Sequence, residues 1–414
     1  MDKIKNRPVA GTKIVIAMSG GVDSSVAAAL LKQQGYFVTG VFMKFWSPAG
    51  DTQICTDKKT DLHRYNNENR CCSVESEKLA RLASKKIGIP FYTINVEKEF
   101  KKKVVDYFLS EYKKGNTPNP CVVCNKEIKF GLLIEKALKM GADFIATGHY
   151  ARLKREIRLN SAELQGAKRL VNNPKLEIRN GDFKLLKGKD KGKDQSYFLW
   201  QLNQKQLSHV LFPVGNYTKA EVRKLAKKFK LPTAQTSESQ EVCFVSGTTN
   251  EFLKKYLKPK PGNIVDKTLR HGSRQARKIL GRHEGLHFYT IGQRKGIGLG
   301  GSASAKGSGE TKPYYVVAKD LKNNNLIVSR NKKDLESKEL IAKNVNWISG
   351  SQPKLPAKVL ARIRYRHDLA EAIVSKFQAS SYELQFKHPQ QAVTPGQSVV
   401  FYSGKELLGG GIIY

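Results

Sequence analysis

The first 150 residues alternate short apolar runs with amphipathic stretches. Four apolar runs predict strands, at residues 13–18, 37–43, 91–94 and 144–147. Four stretches with helical periodicity predict helices, at residues 23–34, 76–87, 97–114 and 127–140. Because apolar strands that alternate with helices form parallel sheets covered on both faces, we predict such a sheet here. Ligands of these sheets bind at the carboxyl ends of the strands, where Ser19, Met43 and Gly148 fall.

The rest of the chain has a different pattern. Residues 155–192 are polar and basic and contain glycine, which predicts an extended insertion or a hairpin, and residues 219–230 read as a helix. Short apolar runs spaced by turn residues are typical of a small β-barrel, and they predict strands at residues 314–318, 326–329, 359–365, 372–377, 382–386 and 398–402. We therefore predict an α/β fold whose three domains are a parallel-sheet domain (1–212), a small linker domain (213–285) and a C-terminal β-barrel (286–414).

Composition narrows the class of partner. Lys and Arg total 73 against 36 Asp and Glu, a formal net charge of +37 over 414 residues, which favours nucleic acid over a Lys-rich but merely solvated surface. Hydrophobic residues make up 40%, enough for folded cores. No apolar run approaches the roughly 20 residues of a membrane span. Six cysteines are too few for a secreted disulfide framework of this length, so we expect a cytoplasmic protein with reduced thiols and no membrane partner.

Residues 19–25, SGGVDSS, join the first predicted strand to the first predicted helix. The glycines permit a tight turn in which backbone N–H groups approach an anion, and the helix N-terminus adds the positive end of its dipole. Ser24 and Ser25 add hydroxyl donors. The loop lacks the Gly-Lys-Ser/Thr of a Walker A motif. It predicts a phosphate site, the alternative being a plain glycine turn with Asp23 as the helix N-cap.

Two cysteine segments stand out: TPNPCVVCNKEIKFG at 117–131 and SQEVCF at 239–244. We interpret the first as a proline-stiffened loop followed by a helix that begins after Cys124. Lys126, Lys129 and the helix N-terminus favour the thiolate, the reactive form of cysteine. These residues therefore predict a reactive thiol.

Two alternatives to a reactive thiol stay open. The first is that Cys243 is a buried, unreactive cysteine with a structural role. Cys121 and Cys124 have zinc-ligand spacing, and Cys71 and Cys72 would then supply the two remaining ligands.

Further motifs carry a family resemblance, in this order: SGGVDS, TPNPCVVCNKEIKFG, ATGHYAR (146–152), GKDQSYFLW (192–200), SQEVCF, YTIGQRKGIGLGG (289–301) and VTPGQSVVFY (393–402). Over nearly its whole length the chain resembles the bacterial tRNA-specific 2-thiouridylases. The resemblance implies an ATP-pyrophosphatase domain, a small linker domain and a tRNA-binding β-barrel. It also implies ATP-dependent replacement of O2 of the wobble uridine by sulfur in glutamate, glutamine and lysine tRNAs.

The resemblance implies a role for many residues. Cys124 matches the family's nucleophile and Cys243 the cysteine that carries a persulfide, while Asp23 helps to organise Mg²⁺ and pyrophosphate. The positions that match the nucleotide site are Ala17, Met18, Ser19, Gly20, Gly21, Val22, Asp23, Ser24, Met43 and Gly148. The positions that match tRNA contacts are Asn119, Pro120, Cys121, His149, Lys193, Asp194, Gln195, Arg364, Tyr365 and Gln397.

The implied chemistry is coherent. A carbonyl oxygen is a poor leaving group, so adenylation must precede its displacement by sulfur from the Cys243 persulfide. Cys124 then attacks the sulfur linkage, which releases the product and leaves a Cys124–Cys243 disulfide for a reductant. The resemblance also implies a persulfide donor, such as a cysteine desulfurase or a relay protein, as a partner. It does not imply that the protein binds DNA. Arg362, Arg364 and Arg366 are predicted to share one face of a strand and to contact RNA phosphates.

Cys121 departs from the family pattern, because many members carry an aspartate there that has been assigned a base role. Cys121, Cys124 and Cys243 together suit an iron–sulfur cluster with one open iron, which is the alternative to the relay. Three different functions compete with the thiouridylase: a 2-thiocytidine-type sulfurtransferase, an amidotransferase-type synthetase and a noncatalytic tRNA-binding protein. Segments 155–192 and 267–280 are longer than is usual in this family, and their sequences indicate no function.

Overall fold

The computed structural model describes residues 11–48, 73–155, 183–236, 242–245, 247–267, 278–299 and 312–414. Five helices are single segments: Val22–Gln33 (α1), Val74–Ile87 (α2), Gln204–Leu207 (α5), Lys219–Lys228 (α6) and Thr249–Tyr256 (α7). Two more each contain three consecutive segments, of which the middle one is π-helical. They are α3 (Glu97–Phe100, Lys101–Val105, Asp106–Lys113) and α4 (Pro120–Cys124, Asn125–Leu132, Leu133–Lys139). Within the described ranges, no helix is long and apolar enough to span a membrane.

The strands fall into three groups along the chain. The first seven are Lys13–Ala17 (β1), Phe37–Lys44 (β2), Phe91–Asn95 (β3), Phe144–Ala146 (β4), Ala151–Arg155 (β5), Phe183–Lys187 (β6) and Val210–Leu211 (β7). The next four are Gly262–Asp266 (β8), Ile279–His283 (β9), Tyr315–Asp320 (β10) and Asn325–Ser329 (β11). The last six are Glu336–Trp347 (β12), Ala357–Arg362 (β13), Ala370–Gln378 (β14), Ser381–Gln391 (β15), Ser398–Ser403 (β16) and Glu406–Ile413 (β17).

The N-terminal sheet has the strand order β3-β2-β1-β4-β7, and every pair in it is parallel. This confirms the predicted parallel sheet. Ile14, Val15 and Ile16 of β1 are at most 3% exposed, as expected for a central strand covered on both faces. The chain continues from β1 to β2 on one side and later adds β4 on the other. A crevice therefore forms at the carboxyl ends of β1 and β4.

The helix that carries the first two cysteines begins earlier than the sequence predicts. Instead of starting after Cys124, α4 starts at Pro120. Proline is favourable at the first helical position, because its fixed φ suits the helix and its missing N–H would have no partner there. Cys121 and Cys124 therefore lie in the first turns of α4 and not in a loop. The π-helical segment that follows is a form frequent at functional sites.

The two strands at the base of the predicted hairpin after residue 150 are present. β5 and β6 are antiparallel, with Ala151 opposite Lys187, and residues 156–182 lie outside the described ranges. β6 also pairs with β17, with Leu185 opposite Leu407. The N-terminal domain thus extends the C-terminal sheet by two strands.

The strands predicted near 314–329 do not belong to the C-terminal barrel, which corrects the grouping drawn from the sequence. β10 and β11 form a four-stranded sheet with β8 and β9, in the order β10-β11-β8-β9. β11 is parallel to β8, with Asn325 opposite Asn263. Because β8 and β11 are far apart in the chain, no local sequence pattern indicates that they pair. The domain boundaries themselves stay a prediction.

The last six strands form a closed β-barrel, as predicted. Their order is β12-β15-β14-β13-β16-β17, and β12 closes the barrel against β17, with Ala342 opposite Ile413. The predicted strand over 359–365 ends early, at Arg362. The chain then turns towards β14, and Arg366 adopts a φ of 71°. The prediction that Arg362, Arg364 and Arg366 share one strand face is therefore wrong.

A buried polar seam joins the N-terminal domain to the barrel. The Trp200 indole N–H donates to the Ser398 hydroxyl oxygen (3.0 Å), and the Tyr197 hydroxyl donates to the Ser398 carbonyl (2.8 Å). Trp200 and Tyr197 are both 0% exposed. The Asn346 side chain donates to the carbonyl of Trp200 at 2.7 Å. These bonds fix the segment around residue 200 against β16.

Replacing Ser398 by Ala leaves the buried Trp200 N–H without its acceptor. We expect the free energy of unfolding to fall by about 1–3 kcal/mol, the cost of one unsatisfied buried donor. Urea unfolding followed by Trp fluorescence measures this loss. The control is Ser403→Ala, at the exposed end of the same strand, which should stay within about 0.5 kcal/mol of the unchanged protein. Equal stabilities of the two variants would contradict this account of the seam.

Candidate active site

A cavity of about 1040 Å³ lies at the carboxyl ends of β1, β2 and β4, between α4 and the barrel. Of the residues singled out in the sequence, those that line it are Ala17, Met18, Ser19, Gly20, Gly21, Val22, Asp23, Ser24, Met43, Asn119, Pro120, Cys121, Cys124, Gly148, His149, Lys193, Gln195, Cys243, Tyr365 and Gln397. Asp194 and Arg364 do not line it. Segments from eight parts of the chain thus meet in one place.

The glycine loop forms the floor of the cavity next to α1. Gly20 has a φ of 75°, and a Cβ at this position would overlap the backbone of Ser76. α1 begins at Val22 with Gly21 as its N-cap, so Asp23 lies in the first turn and is not the cap. The buried Ser25 hydroxyl donates to the Gly21 carbonyl at 3.0 Å, so it stabilises the turn and is not a donor for a ligand.

Asp23 has two partners that the sequence did not reveal. The Lys219 ammonium donates to both carboxylate oxygens, at 2.7 and 2.8 Å, and the Tyr150 hydroxyl donates to Oδ1 at 2.7 Å. Lys219 is the first residue of α6, where Thr218 is the N-cap. Its Nζ is held at the glycine loop, where a cation can stabilise a bound phosphate.

The turn after β4 packs directly on the start of α1. A Cβ on Gly148 would come within 2.7 Å of the Ser24 backbone nitrogen, so this approach requires glycine. The His149 ring lies between Phe130 and Phe212, with its Nδ1 2.8 Å from the Thr147 hydroxyl. Burial, and secondarily the charge of Lys129, lower the pKa of His149 well below its usual value. The imidazole is therefore neutral at neutral pH.

Cys121 and Cys124, at the start of α4, form one wall of the cavity. Cys124 is 6% exposed, whereas Cys121 is half-buried. The helix N-terminus favours a thiolate there, and Lys129 lines the same cavity. Lys126 does not line it, and its Nζ lies 3.9 Å from Glu127.

The loop that leads into α4 is clamped from two sides. The Gln397 side chain donates to the Thr117 carbonyl at 2.8 Å, and the Thr117 N–H donates to the Pro395 carbonyl at 2.9 Å. The Lys319 ammonium, from the four-stranded sheet, donates to the Gly115 carbonyl at 2.7 Å. Burial lowers the pKa of Lys319 to about 8. Both β domains therefore position the cysteine helix.

Cys243 lines the same cavity as Cys121 and Cys124. Its neighbour Phe244 is 2% exposed and packs edge-on against Phe100, Phe108 and Phe252, with ring centroids 5.2 to 5.7 Å apart. This aromatic anchor fixes the position of Cys243, which is half-buried. Residues 239–241 of the motif lie outside the described ranges.

Cys121, Cys124 and Cys243, the described cysteines, are not arranged as a metal-ligand cluster. Among the described residues, no group of three or more His, Cys, Asp and Glu side chains is arranged to hold a metal ion. Cys71 and Cys72, the further ligands of the zinc alternative, lie outside the described ranges, as does Cys55.

Three residues predicted to contact tRNA form hydrogen bonds within the protein. Asp194 is 4% exposed and accepts hydrogen bonds from the Gly188 N–H, the Ser196 N–H and the Ser196 hydroxyl, at 3.0 to 3.1 Å. The Arg364 guanidinium donates to the carbonyls of Ile291 and Ala392, both at 3.1 Å, and to Thr394. Gln397 belongs to the clamp described above. These contacts show that all three side chains also stabilise the protein internally, and their contacts with tRNA stay a prediction.

The sequence analysis did not single out several residues that line the cavity, among them Glu75, Tyr150, Phe198 and Lys219. Phe198 packs on Tyr365 with ring centroids 4.5 Å apart, which forms an aromatic surface across the seam. Tyr150 and Phe198 lie inside the quoted motifs ATGHYAR and GKDQSYFLW, so the signal was present. Lys219 had none, because it is one of many lysines.

The fold and the cavity define a class: an α/β protein with a glycine loop at a sheet crevice, cysteines beside it, and two β domains that contact the loop before the cysteine helix. Three family models match in succession. They are the tRNA methyl transferase HUP domain (residues 12–247), the tRNA methyl transferase PRC-barrel domain (250–330) and the aminomethyltransferase beta-barrel domain (337–413).

Curated relatives specify the family. The chain is 44% identical over 405 residues to "tRNA-specific 2-thiouridylase MnmA 2" of Geobacillus kaustophilus, covering 97% of this chain and 94% of that protein. It is 42% identical to the tRNA-specific 2-thiouridylase MnmA of Alkaliphilus oremlandii, covering 97% of each chain. The Limosilactobacillus reuteri protein of the same name is also 42% identical, with 97% and 95% covered. The chain belongs to the tRNA-specific 2-thiouridylase family.

Replacing Gln397 by Ala removes one bond of the clamp on the loop before α4. Since such a bond contributes about 1 kcal/mol, we expect the buried Cys124 to be alkylated about 5-fold faster. Iodoacetamide labelling followed by peptide mass spectrometry measures the rate. Gln378→Ala, an exposed position on β14, is the control and should leave the rate unchanged. Identical labelling rates in both variants would argue against the clamp.

Proposed function

We propose that this protein is an ATP-dependent tRNA 2-thiouridylase. It replaces O2 of the wobble uridine, position 34 of glutamate, glutamine and lysine tRNAs, by sulfur, and releases AMP and pyrophosphate. The observation that carries the proposal is that Cys124, Cys243 and the glycine loop line the same cavity. The activity named for its relatives, which align with it over 97% of its length, supports the same assignment. Such an enzyme works on tRNA in the cytoplasm.

The glycine loop and Lys219 form the ATP half of the site. Backbone N–H groups at the start of α1 bind the phosphates, and Lys219 adds a positive charge beside Asp23. Mg²⁺ usually binds through one or two carboxylates together with substrate phosphates, and the carboxylates that line the cavity are Asp23 and Glu75. These residues fit the ion, which when bound neutralises charge on the phosphates.

The two cysteines form the sulfur half. The uridine O2 attacks the α-phosphate of ATP, which releases pyrophosphate and makes the oxygen part of a leaving group. The terminal sulfur of a Cys243 persulfide attacks C2 and displaces AMP. The Cys124 thiolate then attacks the Cys243 sulfur of that linkage, which frees 2-thiouridine and leaves a Cys124–Cys243 disulfide. A thiol reductant restores both thiols, and an external persulfide donor reloads Cys243.

The environments of the two cysteines suit this order of events. Cys243 is half-buried, which leaves its sulfur accessible to a donor protein. Cys124 lies near a helix N-terminus, which favours its thiolate, and at 6% exposure it is shielded from other reactions. Cys121 stands where many members of the family carry an aspartate that acts as a base, so this chain has no carboxylate base at that position.

The aromatic surface of Phe198 and Tyr365 supports RNA binding. A base flipped from the anticodon loop can stack there, because every base has an aromatic face. Lys193 and Arg366 line the same side of the cavity and can contact phosphates. The net charge of +37 attracts the tRNA from a distance.

Replacing Lys219 by Met removes the cation beside the glycine loop. We expect tRNA-dependent pyrophosphate release to fall at least about 100-fold, since electrostatic stabilisation of this kind contributes roughly 3 kcal/mol. Binding of tRNA, measured by filter retention, should change less than about 2-fold because most RNA contacts lie elsewhere. Lys224→Met, exposed on the same helix, is the control. Pyrophosphate release that survives in Lys219→Met would remove Lys219 from the ATP site.

Labelled sulfur separates the roles of the cysteines. With a ³⁵S-persulfide donor, Cys243→Ser should accept no label yet still release pyrophosphate, whereas Cys124→Ser should hold label on Cys243 without forming 2-thiouridine. Label on Cys124 in the Cys243→Ser protein would reverse the assignment.

The same preparations test the iron–sulfur alternative. Full thiolation by protein purified anaerobically and free of iron would exclude a cluster. A stoichiometric cluster that is lost together with activity in Cys121→Ser would overturn the relay.

A further inference from the structure

A second cleft, of about 630 Å³, lies on the barrel beside the main cavity. Two segments line it: residues 366–371, which form the turn into β14, and residues 387–391, at the end of β15. We call it the barrel cleft. Nothing in the reaction described above uses it.

The lining of the barrel cleft is nearly neutral. Arg366 and Lys387 are offset by Asp368 and Glu371, and Lys387 is already paired with Glu371 at 2.8 Å. A phosphate site needs an excess of positive charge, so this balance argues against one. A neutral ligand is the better fit.

The chemistry of the lining suits a flat ligand with hydrogen-bonding edges. Leu369 and Pro389 supply apolar surface, while His367, His388 and Gln390 supply imidazole and amide groups. Burial lowers the pKa of His367, so its ring is neutral at neutral pH and can stack or hydrogen-bond. A nucleobase has these properties, and the volume accommodates one.

Arg366 connects the barrel cleft to the main cavity, because it lines both. Its φ of 71° lies in the left-handed region that residues other than glycine rarely adopt, a form of strain that clusters at ligand sites. Its guanidinium lies 5.7 Å from the Tyr365 ring centroid. The barrel cleft therefore adjoins the main cavity, within reach of an RNA strand whose target base enters that cavity.

We propose that the barrel cleft binds the base of a nucleotide adjacent to the target uridine. This inference rests on the proposed function, which places the target uridine in the main cavity. The neighbouring base is held outside the anticodon stack, and its contacts with the cleft keep the target uridine positioned in the main cavity.

The test measures binding of an anticodon stem-loop RNA to the full-length protein. Two further RNAs carry an abasic site immediately 5′ or 3′ of the target uridine. We expect one of them to bind about 10-fold more weakly than the intact RNA, the typical effect of losing one stacked base. In His388→Ala and His367→Ala that difference should shrink to less than about 3-fold, since the cleft no longer reads the base. Phe377→Ala, exposed on β14 outside the cleft, is the control and should keep the full difference.

Two results would overturn the inference: intact and abasic RNAs that bind the unchanged protein equally, or histidine variants that keep the full difference. Thiolation of the intact RNA, assayed in parallel, separates this inference from the proposed function. If thiolation occurs while the abasic RNAs bind normally, only the cleft assignment fails. If no RNA is thiolated under any condition, the proposed function fails first.

Discussion

The turn at residues 395–398 holds the two walls of the cavity together. Ser398 accepts the hydrogen bonds of Trp200 and Tyr197, which dock the N-terminal domain on β16. One residue earlier, Gln397 holds the loop that leads into the cysteine helix. Because these groups are buried, each bond left unmade costs more than it would at the surface. The relative position of the phosphate loop, the cysteines and the barrel depends on this turn.

Charge in the cavity is arranged around Asp23. Lys219 and Tyr150 both donate to its carboxylate, so without phosphates the positive and negative groups satisfy each other. A polyanionic ligand enters a site in which the cation is already oriented, which lowers the cost of reorganisation. The neutral His149, which lines the same cavity, adds no competing charge. The cavity lining carries an excess of positive charge as well, since Lys129, Lys193, Lys219 and Arg366 face only Asp23 and Glu75.

The two cysteines are positioned by different physical means. Cys124 and Cys121 depend on the backbone of α4, whose N-terminus favours thiolates and whose start is set by Pro120. Cys243 depends on packing, since Phe244 is held by three other aromatic rings. A helix defines a position through its hydrogen bonds, whereas a short segment outside helices and strands needs an anchor of this kind. The relay chemistry requires both positions to face one space.

The sequence by itself determined the features that local patterns encode. Apolar runs predicted the parallel sheet, the glycine loop predicted the phosphate site, and short spaced strands predicted the barrel. Motifs in order along the chain were sufficient for the family, because each contains its own turn, cap or reactive group. The tertiary structure decided how distant segments pair.

It placed β10 and β11 with the linker strands and not in the barrel, and it gave Asp194, Arg364 and Gln397 hydrogen bonds within the protein that the sequence did not predict. It also brought Lys219 to Asp23 across 196 positions of chain. Periodicity and turn chemistry are properties of neighbouring residues and can be read from the sequence. Which lysine meets which carboxylate depends on the packing of whole surfaces, and only the folded chain specifies that.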